Sequence, residues 1–321
     1  MRFTSWSDDF NQPNTTNMGP FWTEVVGDEI IQNNQGQGNL ATGWSYMLHN
    51  FAAMSPATTR MEIDLMPPLG TSGPHVALIT GAASGATQWF HTKIQDNDSN
   101  GTYDRIFFYS NGNGGGWGSP GSRALTTPVT TGRVYMYFTN AGDTLNVDID
   151  ENFDGVIDQH YANSGALAVT VAGTGFGIGT WAMGAYDNWR IADCLPATAQ
   201  TYGTGFPGTL GVPAIAASAT PVLGTSITID IANSLGAVTA GAVVIGFSSS
   251  QQPMPWGGTL LASPDAVLFT VLPAAGYSLP FAIPPGSYLC GVGLYCQGGI
   301  IDAGAAQGIA NTAGLALVLG G

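Results

Sequence analysis

Short runs of alternating apolar and polar residues recur along the chain, separated by clusters of Gly, Pro, Asn and Ser. In residues 225–231 (TSITIDI), for example, Ile227, Ile229 and Ile231 fall on one side of an extended strand. Apolar residues at helical spacing are scarce, and the 321 residues include 46 Gly and 19 Pro. The pattern predicts an all-β protein with almost no helix.

Charged residues make up 9% of the chain, against about 25% in an average globular protein. This composition is typical of secreted and surface proteins and fits a cytosolic enzyme poorly. The net charge of −14, with seven basic residues, argues against nucleic acid or an anionic membrane as a partner. A mean hydropathy of +0.14 fits either a surface buried in an assembly or a large β-rich core.

The first ten residues contain no apolar run long enough for the core of a signal peptide. Two explanations stay open: removal of a leader, or release by another route, for example within a virus particle. The apolar segment 300–321 is interrupted by Asp302, Gln307 and Asn311, so we expect no membrane insertion. The expected location is extracellular or the surface of a cell or virion.

Two acidic loops, at residues 96–104 and 150–158, share the register D-x-[DN]-x-[DN]-G-x-x-D. Oxygen-bearing side chains at positions 1, 3, 5 and 9, with a glycine turn at position 6, are typical of calcium loops, and the carbonyl of position 7 can add a ligand. The predicted ligands of one or two structural Ca²⁺ ions are Asp96, Asp98, Asn100, Thr102, Asp104, Asp150, Asn152, Asp154, Val156 and Asp158.

Both loops depart from an EF-hand, because the position of its bidentate Glu holds Phe107 in the first loop and Tyr161 in the second. Their flanks are β-branched and aromatic rather than helical. We therefore predict two hairpin tips that bind calcium more weakly than a cytosolic sensor does. The alternative is a pair of Asp/Asn/Gly turns that bind no metal.

With three cysteines in the chain, we expect no disulfide framework. One continuous strand from Cys290 to Cys296 would separate them by about 20 Å, whereas a disulfide holds its Cα atoms about 4.4 to 6.8 Å apart. Unless that strand breaks at its glycines, both are expected to be buried thiols. Cys194 is expected to be a free thiol in a linker, with pairing to another chain as the alternative.

The charge distribution divides the chain into two domains. Every Lys, Arg and His precedes residue 191, whereas the part after residue 211 carries only Asp230, Asp265 and Asp302 as charged side chains. We predict a first domain at 1–193, a linker at 194–211 and a smaller β-sandwich at 212–321.

The first domain resembles concanavalin A-like lectins and laminin-G-like domains over residues 3–193. The similarity lies in WSDDFN at 6–11, GPFW at 19–22 and YDNWRI at 186–191, the last of which looks like a final strand returning beside the first. It implies a two-sheet jelly roll that binds glycans or proteins through loops at one edge.

The second domain resembles small Ig-like all-β domains at the ends of bacterial secreted and surface proteins, through YGTGFPG at 202–208 and GGTLL at 257–261. Related sequences often have cysteines where this chain has Phe206 and Thr259. The resemblance implies an attachment, spacing or assembly module.

Residues 62–66 (EIDLM) resemble the catalytic strand of laminarinase-type glycoside hydrolases, which pair two glutamates on one strand face. Pro67 occupies the position of the second glutamate, so Glu62 and Asp64 are predicted to be outward-facing strand residues. We therefore expect no enzymatic activity, with a hydrolase that uses another carboxylate pair as a minor alternative.

A glycan site needs exposed aromatic rings beside amides or carboxylates. The candidates are Trp44, Tyr46, Trp89, Trp117 and Trp181, although most tryptophans of a sandwich lie in its core. The predicted ligand-binding residues are Trp117, Asn111, Asn113 and Trp89.

Together these features predict a non-enzymatic, calcium-stabilised extracellular binding or adhesion protein. Its expected partner is a glycan or a surface protein. The principal alternative is a structural subunit of a surface layer, filament or virion, in which the protein binds copies of itself.

Overall fold

The computed structural model describes residues 5–50, 55–82, 89–111, 115–116, 121–166 and 173–321. Two compact units are present: Met1–Cys194 with Pro285–Tyr288, and Leu195–Pro284 with Leu289–Gly321. Strands dominate both units, which confirms the all-β prediction. Helical structure in the described ranges is limited to 3-10 conformation, at Pro56–Thr58, Asn140–Gly142, Ser287–Leu289 and residue 166.

The first unit contains two antiparallel eight-stranded sheets. The first sheet comprises β1 (Ser5–Asp8), β3 (Glu29–Gln32), β4 (Gln35–Gly38), β6 (Thr59–Leu65), β12 (Gly132–Thr139), β13 (Thr144–Asp150), β14 (Gln159–Ser164) and β16 (Ala185–Asp193). The second sheet comprises β2 (Trp22–Val26), β5 (Trp44–His49), β7 (His75–Ala82), β8 (Trp89–Gln95), β9 (Tyr103–Asn111), β10 (Gly115–Gly116), β11 (Ser122–Val129) and β15 (Gly175–Trp181).

Alternation along each strand creates the core of this unit. In β6, Met61, Ile63 and Leu65 point into the core, as do Phe90 and Ile94 of β8 in the other sheet. The strand order is β14-β13-β12-β6-β16-β4-β3 in the first sheet and β10-β9-β8-β7-β15-β5-β2 in the second. Half of the neighbouring pairs in these orders are not consecutive in the chain. The first unit is a two-sheet jelly roll.

The first and last strands of this unit lie side by side, with Trp6 opposite Ile191 in the β1–β16 ladder. The Trp22 indole nitrogen donates to Asp8 across 2.7 Å, and Trp189 is fully buried. The predicted return of the YDNWRI strand to the WSDDFN strand is confirmed.

The second unit contains a five-stranded sheet, a three-stranded sheet and a hairpin. Their strands are β17 (Thr198–Tyr202), β20 (Thr239–Gly246), β23 (Ala266–Leu272), β25 (Gly293–Ile301) and β26 (Ile309–Val318); β18 (Ile215–Ala217), β19 (Ser226–Ile231) and β24 (Tyr277–Ala282); and β21 (Ser249–Pro253) with β22 (Thr259–Ala262). The predicted Ile227–Ile229–Ile231 face of β19 is buried. The range predicted as a linker, 194–211, contains β17, which pairs with β26.

The cysteine prediction is wrong for two of the three residues. Cys194 and Cys290 are each disulfide-bonded, and only Cys296 is a free, buried thiol. Cys290 lies in a turn before β25 begins at Gly293. Cys290 and Cys296 therefore do not lie on one continuous strand, and the expected separation of about 20 Å does not apply. In the described ranges, no helix is long and apolar enough to cross a membrane.

Candidate functional site

The outer face of the second sheet is rich in aromatic side chains. Phe90, Thr92 and Ile94 of β8 are buried, and the intervening Trp89, His91 and Lys93 project from the opposite side of the strand. In the adjacent strands, Ala77 of β7 and Phe107 of β9 flank Lys93. Strand alternation thus assembles one row of side chains on the face opposite the main core, where Trp89 is 6% and His91 8% exposed and Trp89 packs in a second, smaller hydrophobic cluster.

This face contains a cavity of about 510 Å³, which we call the aromatic pocket. It is lined by Val26, Trp44, Tyr46, Ala77, Ile79, Trp89, His91, Lys93, Tyr109 and Ser110. The Tyr46 and Trp89 ring centroids lie 4.8 Å apart, and His91 stacks on Tyr109 at 5.3 Å. Planar faces therefore surround an accessible, mainly apolar space.

Gly179 of β15 leaves space beside residues that line the aromatic pocket. Gly179 pairs with Ala77 on one side and Tyr46 on the other. A Cβ atom at this position would lie 3.3 Å from the Trp44 ring and 3.5 Å from the Ile79 side chain. The missing side chain leaves room for the rings from neighbouring strands to face the cavity.

The histidines of this face are neutral at physiological pH. Burial, followed by the charge of Lys93, lowers the pKa of His91 to about 3. The same two causes hold the pKa of His75 well below its usual value. The Trp89 indole nitrogen donates to His91 Nδ1 across 3.0 Å, so the proton of the neutral ring is on Nε2.

The structure brings together only part of the predicted ligand set. Trp89 lines the aromatic pocket, as do the candidates Trp44 and Tyr46. Trp117 and Asn113 lie outside the described residues, and of Asn111 only the backbone, at the end of β9, is described. Trp181 is not a lining residue; its ring lies 6.2 Å from that of Trp44.

Sequence reasoning missed His91, Lys93 and Tyr109. A usable signal was present, because W-x-H-x-K at 89–93 and F-x-Y at 107–109 repeat with the period of two that puts side chains on one strand face. The pairing of β8 with β9 then places Tyr109 opposite His91, which no local pattern reveals.

The two acidic loops are hairpin tips, as predicted. The first connects β8 to β9 in the second sheet, and the second connects β13 to β14 in the first sheet. The glycine at position 6 has a positive φ in both loops, +89° at Gly101 and +81° at Gly155. The residue at position 4, Ser99 or Phe153, is also left-handed.

Both loops make the same internal hydrogen bonds. The N–H groups of positions 5 and 6 donate to the two carboxylate oxygens of position 1, at 3.0 and 2.8 Å on Asp96 and at 3.2 and 2.9 Å on Asp150. The N–H of position 2 donates to position 9 across 2.8 Å, to Asp104 in one loop and Asp158 in the other. The shared sequence register is therefore also a shared backbone structure.

The carboxylates at position 1 are buried, with Asp96 0% and Asp150 1% exposed, whereas position 3 and position 5 are exposed. Among the described residues, no ion pair involves either loop, and no three acidic, His or Cys side chains form a group that could hold a metal. The donor set consists of oxygen atoms, which suits Ca²⁺. Thr102 and Val156 donate their N–H groups to the side chain at position 5.

Glu62 and Asp64 point away from the core, but both are buried. Glu62 lies 3.6 Å from Arg190, and its second oxygen accepts the Ser287 N–H. Strand β6 ends at Leu65, before Pro67. These acids are enclosed by the protein rather than presented to a substrate.

No protein-family model matches the sequence, and no curated protein matches it. Carbohydrate-binding module CBM66 from Bacillus subtilis aligns at 16% identity over 54% of this chain and 92% of its own, with a TM-score of 0.35. Winged bean acidic lectin, complexed with methyl-α-D-galactose, aligns at 10% identity over 60% and 98%, with a TM-score of 0.40. The Ca²⁺-bound exoplasmic/lumenal domain of VIP36 aligns at 12% identity over 59% and 90%, with a TM-score of 0.42. At these values, function has to be inferred from the side chains of this chain.

Proposed function

We propose that the first domain is a non-enzymatic saccharide-binding domain of an extracellular or surface protein, and that the aromatic pocket is its binding site. The observation that supports this is the cluster of Trp44, Tyr46, Trp89 and Tyr109 around one cavity. A pyranose presents C–H groups that pack on aromatic faces, while its hydroxyl groups need polar partners. His91 supplies a neutral polar group in the same wall.

The chemistry of the pocket supports binding rather than hydrolysis. Most glycoside hydrolases need two carboxyl groups flanking the scissile bond. None of the lining residues is Asp or Glu, and the sequence contains no Asp or Glu in the ranges that the structure leaves undescribed. Glu62, which resembles a catalytic residue in sequence, is 0% exposed.

The test is glycan-array screening of the full chain, followed by calorimetry on the best ligand. Tyr46→Ala should weaken binding about 5-fold or more, because stacking and hydrophobic contacts of one ring contribute on the order of 1 kcal/mol or more. Trp256→Ala, which removes an exposed aromatic ring from the second unit, is the matched control and should leave binding unchanged. Equal affinity of the Tyr46 variant and the native protein would reject the pocket as the site.

Calcium is the second part of the proposal. Each acidic loop would hold one ion through its position 1, 3, 5 and 9 side chains and the carbonyl of position 7, and the ion would stabilise the hairpin tip. Support comes from the common backbone structure of the two loops and from the absence of a paired cation within the described residues. The ion would also compensate the charge of the buried Asp96 and Asp150.

A chelator should lower the Tm of the native protein, and calcium should restore it. Asp154→Ala combined with Asp158→Ala should remove one ion from the calorimetric stoichiometry while the far-UV spectrum stays β-rich. Asp143→Ala is the acidic control outside both loops. An unchanged Tm in chelator, with no heat on calcium addition, would show that the loops are turns without metal.

Assembly of copies is a second candidate function, favoured by strand β23 in the second unit. It is the last strand of its sheet in the described fold, pairs only with β20, and contains no charged residue. Val267, Leu268, Phe269 and Val271 are 41%, 44%, 85% and 64% exposed. A long apolar edge strand is a template for pairing with another strand.

A second copy of the chain suits this edge. Antiparallel pairing centred on Phe269 would place Asp265 opposite residue 273 of the other copy, so no like charges meet. Together with the exposed Phe247 and Ile301, β23 offers several hundred Å² of apolar surface, the scale of the about 800 Å² that each partner contributes to a standard interface.

Light scattering should then give a dimer or larger assembly for the native chain and a monomer for Phe269→Lys. Phe21→Lys, at an exposed phenylalanine of the first unit, is the control. A native chain that stays monomeric at high concentration, or that captures only a different protein, would reject self-assembly through β23.

A further inference from the structure

Lys93 is the only lysine in the chain, and it lines the aromatic pocket. Its ammonium lies 4.3 Å from the Phe107 ring centroid and 5.2 Å from that of Tyr109. No carboxylate within the described structure lies within 4.0 Å of it, and every Asp and Glu of the chain is among the described residues. A half-buried cation thus faces the pocket with aromatic rings, and no anion, as its partners.

Three arginines of this domain lie close to carboxylates instead. Arg133 forms two hydrogen bonds with Asp64, at 2.6 and 2.9 Å, and Arg60 and Arg190 each lie within 4.0 Å of a carboxylate. The chain has 21 acidic residues for seven basic ones, so a carboxylate partner for Lys93 was abundantly available in the sequence. The Lys93 ammonium is therefore available to an anionic group of a ligand.

Lys93 is the only positively charged side chain among the residues that line the aromatic pocket. His91 and His75 are neutral at physiological pH, and the lining residues include no other basic side chain. Burial lowers the pKa of Lys93 to about 8, as expected for an ammonium that lacks a counter-ion. A ligand anion placed here would supply that counter-ion in a partly desolvated site.

We propose that the aromatic pocket selects saccharides that carry an anionic substituent, a carboxylate or a sulfate, held by Lys93 while the sugar ring packs on the Tyr46 and Trp89 wall. This selectivity rests on the saccharide-binding function proposed above. A charge-assisted hydrogen bond from the ammonium orients the anion. The net charge of −14 repels anions at long range, so the selectivity is local to this pocket.

The experiment compares matched ligands on the full chain. The carboxylate pair is an oligogalacturonate and its methyl ester, and the sulfate pair is a sulfated galactan oligosaccharide and its desulfated form. The native protein should bind the anionic member of at least one pair about 10- to 100-fold more tightly than the neutral member. Which pair shows the preference identifies the anion.

Lys93→Met keeps an unbranched side chain of similar length while removing the charge, so it should equalise the affinities within a pair. Lys93→Arg should restore the preference. Arg105→Met is the matched control, because it removes a cation of β9 that does not line the pocket.

Failure of this inference is distinct from failure of the binding function. Equal native affinity for both members of each pair, or a preference that survives Lys93→Met, would overturn the anion selectivity and leave saccharide binding intact. Binding of no ligand in the pairs and none on the array would overturn both proposals.

Discussion

The outer faces of the two sheets in the first domain differ in whether their charged side chains form ion pairs. On the first sheet, Asp64 bonds Arg133 through two hydrogen bonds, and Asp148 accepts from His160 across 2.6 Å. On the second sheet, Lys93 has only aromatic partners among the described side chains. Paired charges hold strands together, whereas an unpaired charge beside a cavity is free to meet a ligand.

The pairs on the first sheet join strands that are far apart in sequence. Asp64 of β6 also accepts from the Asn188 side chain of β16 across 2.9 Å, so three strands meet at one carboxylate. The hydrogen bonds between Asp64 and Arg133 raise the pKa of Arg133. Arg60 lies over the Tyr135 and Tyr137 rings, which completes a buried polar layer. These contacts make this face structural, and the proposed binding site lies on the other sheet.

Removing Asp64 should produce the largest loss of stability at neutral pH. Asp64→Ala leaves Arg133 half-buried without its carboxylate, which should lower the free energy of unfolding by about 3 kcal/mol. Urea unfolding measures the loss. Asp9→Ala, at an exposed acid outside both acidic loops, is the control. A loss of unfolding free energy below about 1 kcal/mol would show that the ion pairs of the first sheet do not stabilise the fold, contrary to the contrast with Lys93.

Glu29 is a buried acid of the first domain that forms no ion pair in the described structure. It is 0% exposed and accepts hydrogen bonds from Thr180 at 2.7 Å and Tyr186 at 3.1 Å. Burial raises its pKa to about 8. Its unfolded-state pKa is near 4.5, so its contribution to stability is complete below pH 4.5 and is lost as the pH rises through 8.

Glu29→Gln should therefore flatten the pH dependence of unfolding between pH 4.5 and 8, a window in which the native protein should lose on the order of 4 kcal/mol. The measurement is urea unfolding at a series of pH values. Parallel pH profiles of the two proteins would show that Glu29 is ionised in the fold.

Lys93→Met should change stability little, by less than about 1 kcal/mol, because no ion pair is lost and only the contact of the ammonium with the aromatic rings is removed. The measurement is thermal unfolding of the Lys93→Met and Asp64→Ala variants under the same conditions. A destabilisation as large as that of Asp64→Ala would show that Lys93 is structural, and would weaken its role in ligand selection.

His160 should give the smallest effect, because its side chain is 54% exposed. The hydrogen bond to Asp148 raises the pKa of His160, so its contribution is complete below the unfolded pKa of 6.5 and disappears as the pH rises through the raised value. His160→Gln should cost less than about 1 kcal/mol at pH 6 and nothing at pH 9. A loss that persists at pH 9 would assign the effect to packing.

Local patterns predicted much of the fold. The two loop motifs were predicted as hairpin tips and are such tips, since a D-x-[DN]-x-[DN]-G run leaves the backbone few other conformations. The WSDDFN and YDNWRI segments were expected to pair, and they do. Cys290 shows the limit: glycines ended a strand that alternation alone extended through 290–296.

Of the candidate site, alternation could place Trp44 with Tyr46 and Trp89 with His91 and Lys93, because residues two apart share a strand face. It could not join these groups, which lie on β5 and β8 with β7 and β15 between them in the sheet. Trp117, the favoured residue of the sequence prediction, lies outside the described ranges.

The sequence by itself determined the β class, the register of both acidic loops and the excess of acid over base. Only the tertiary structure decided which charges are paired. Arg133 finds Asp64 from 69 positions away, while Lys93, with 21 acidic residues in the same chain, faces none within 4.0 Å in the described fold. The physical reason is that ion pairs act over a few ångströms, and strand order alone decides which side chains come that close.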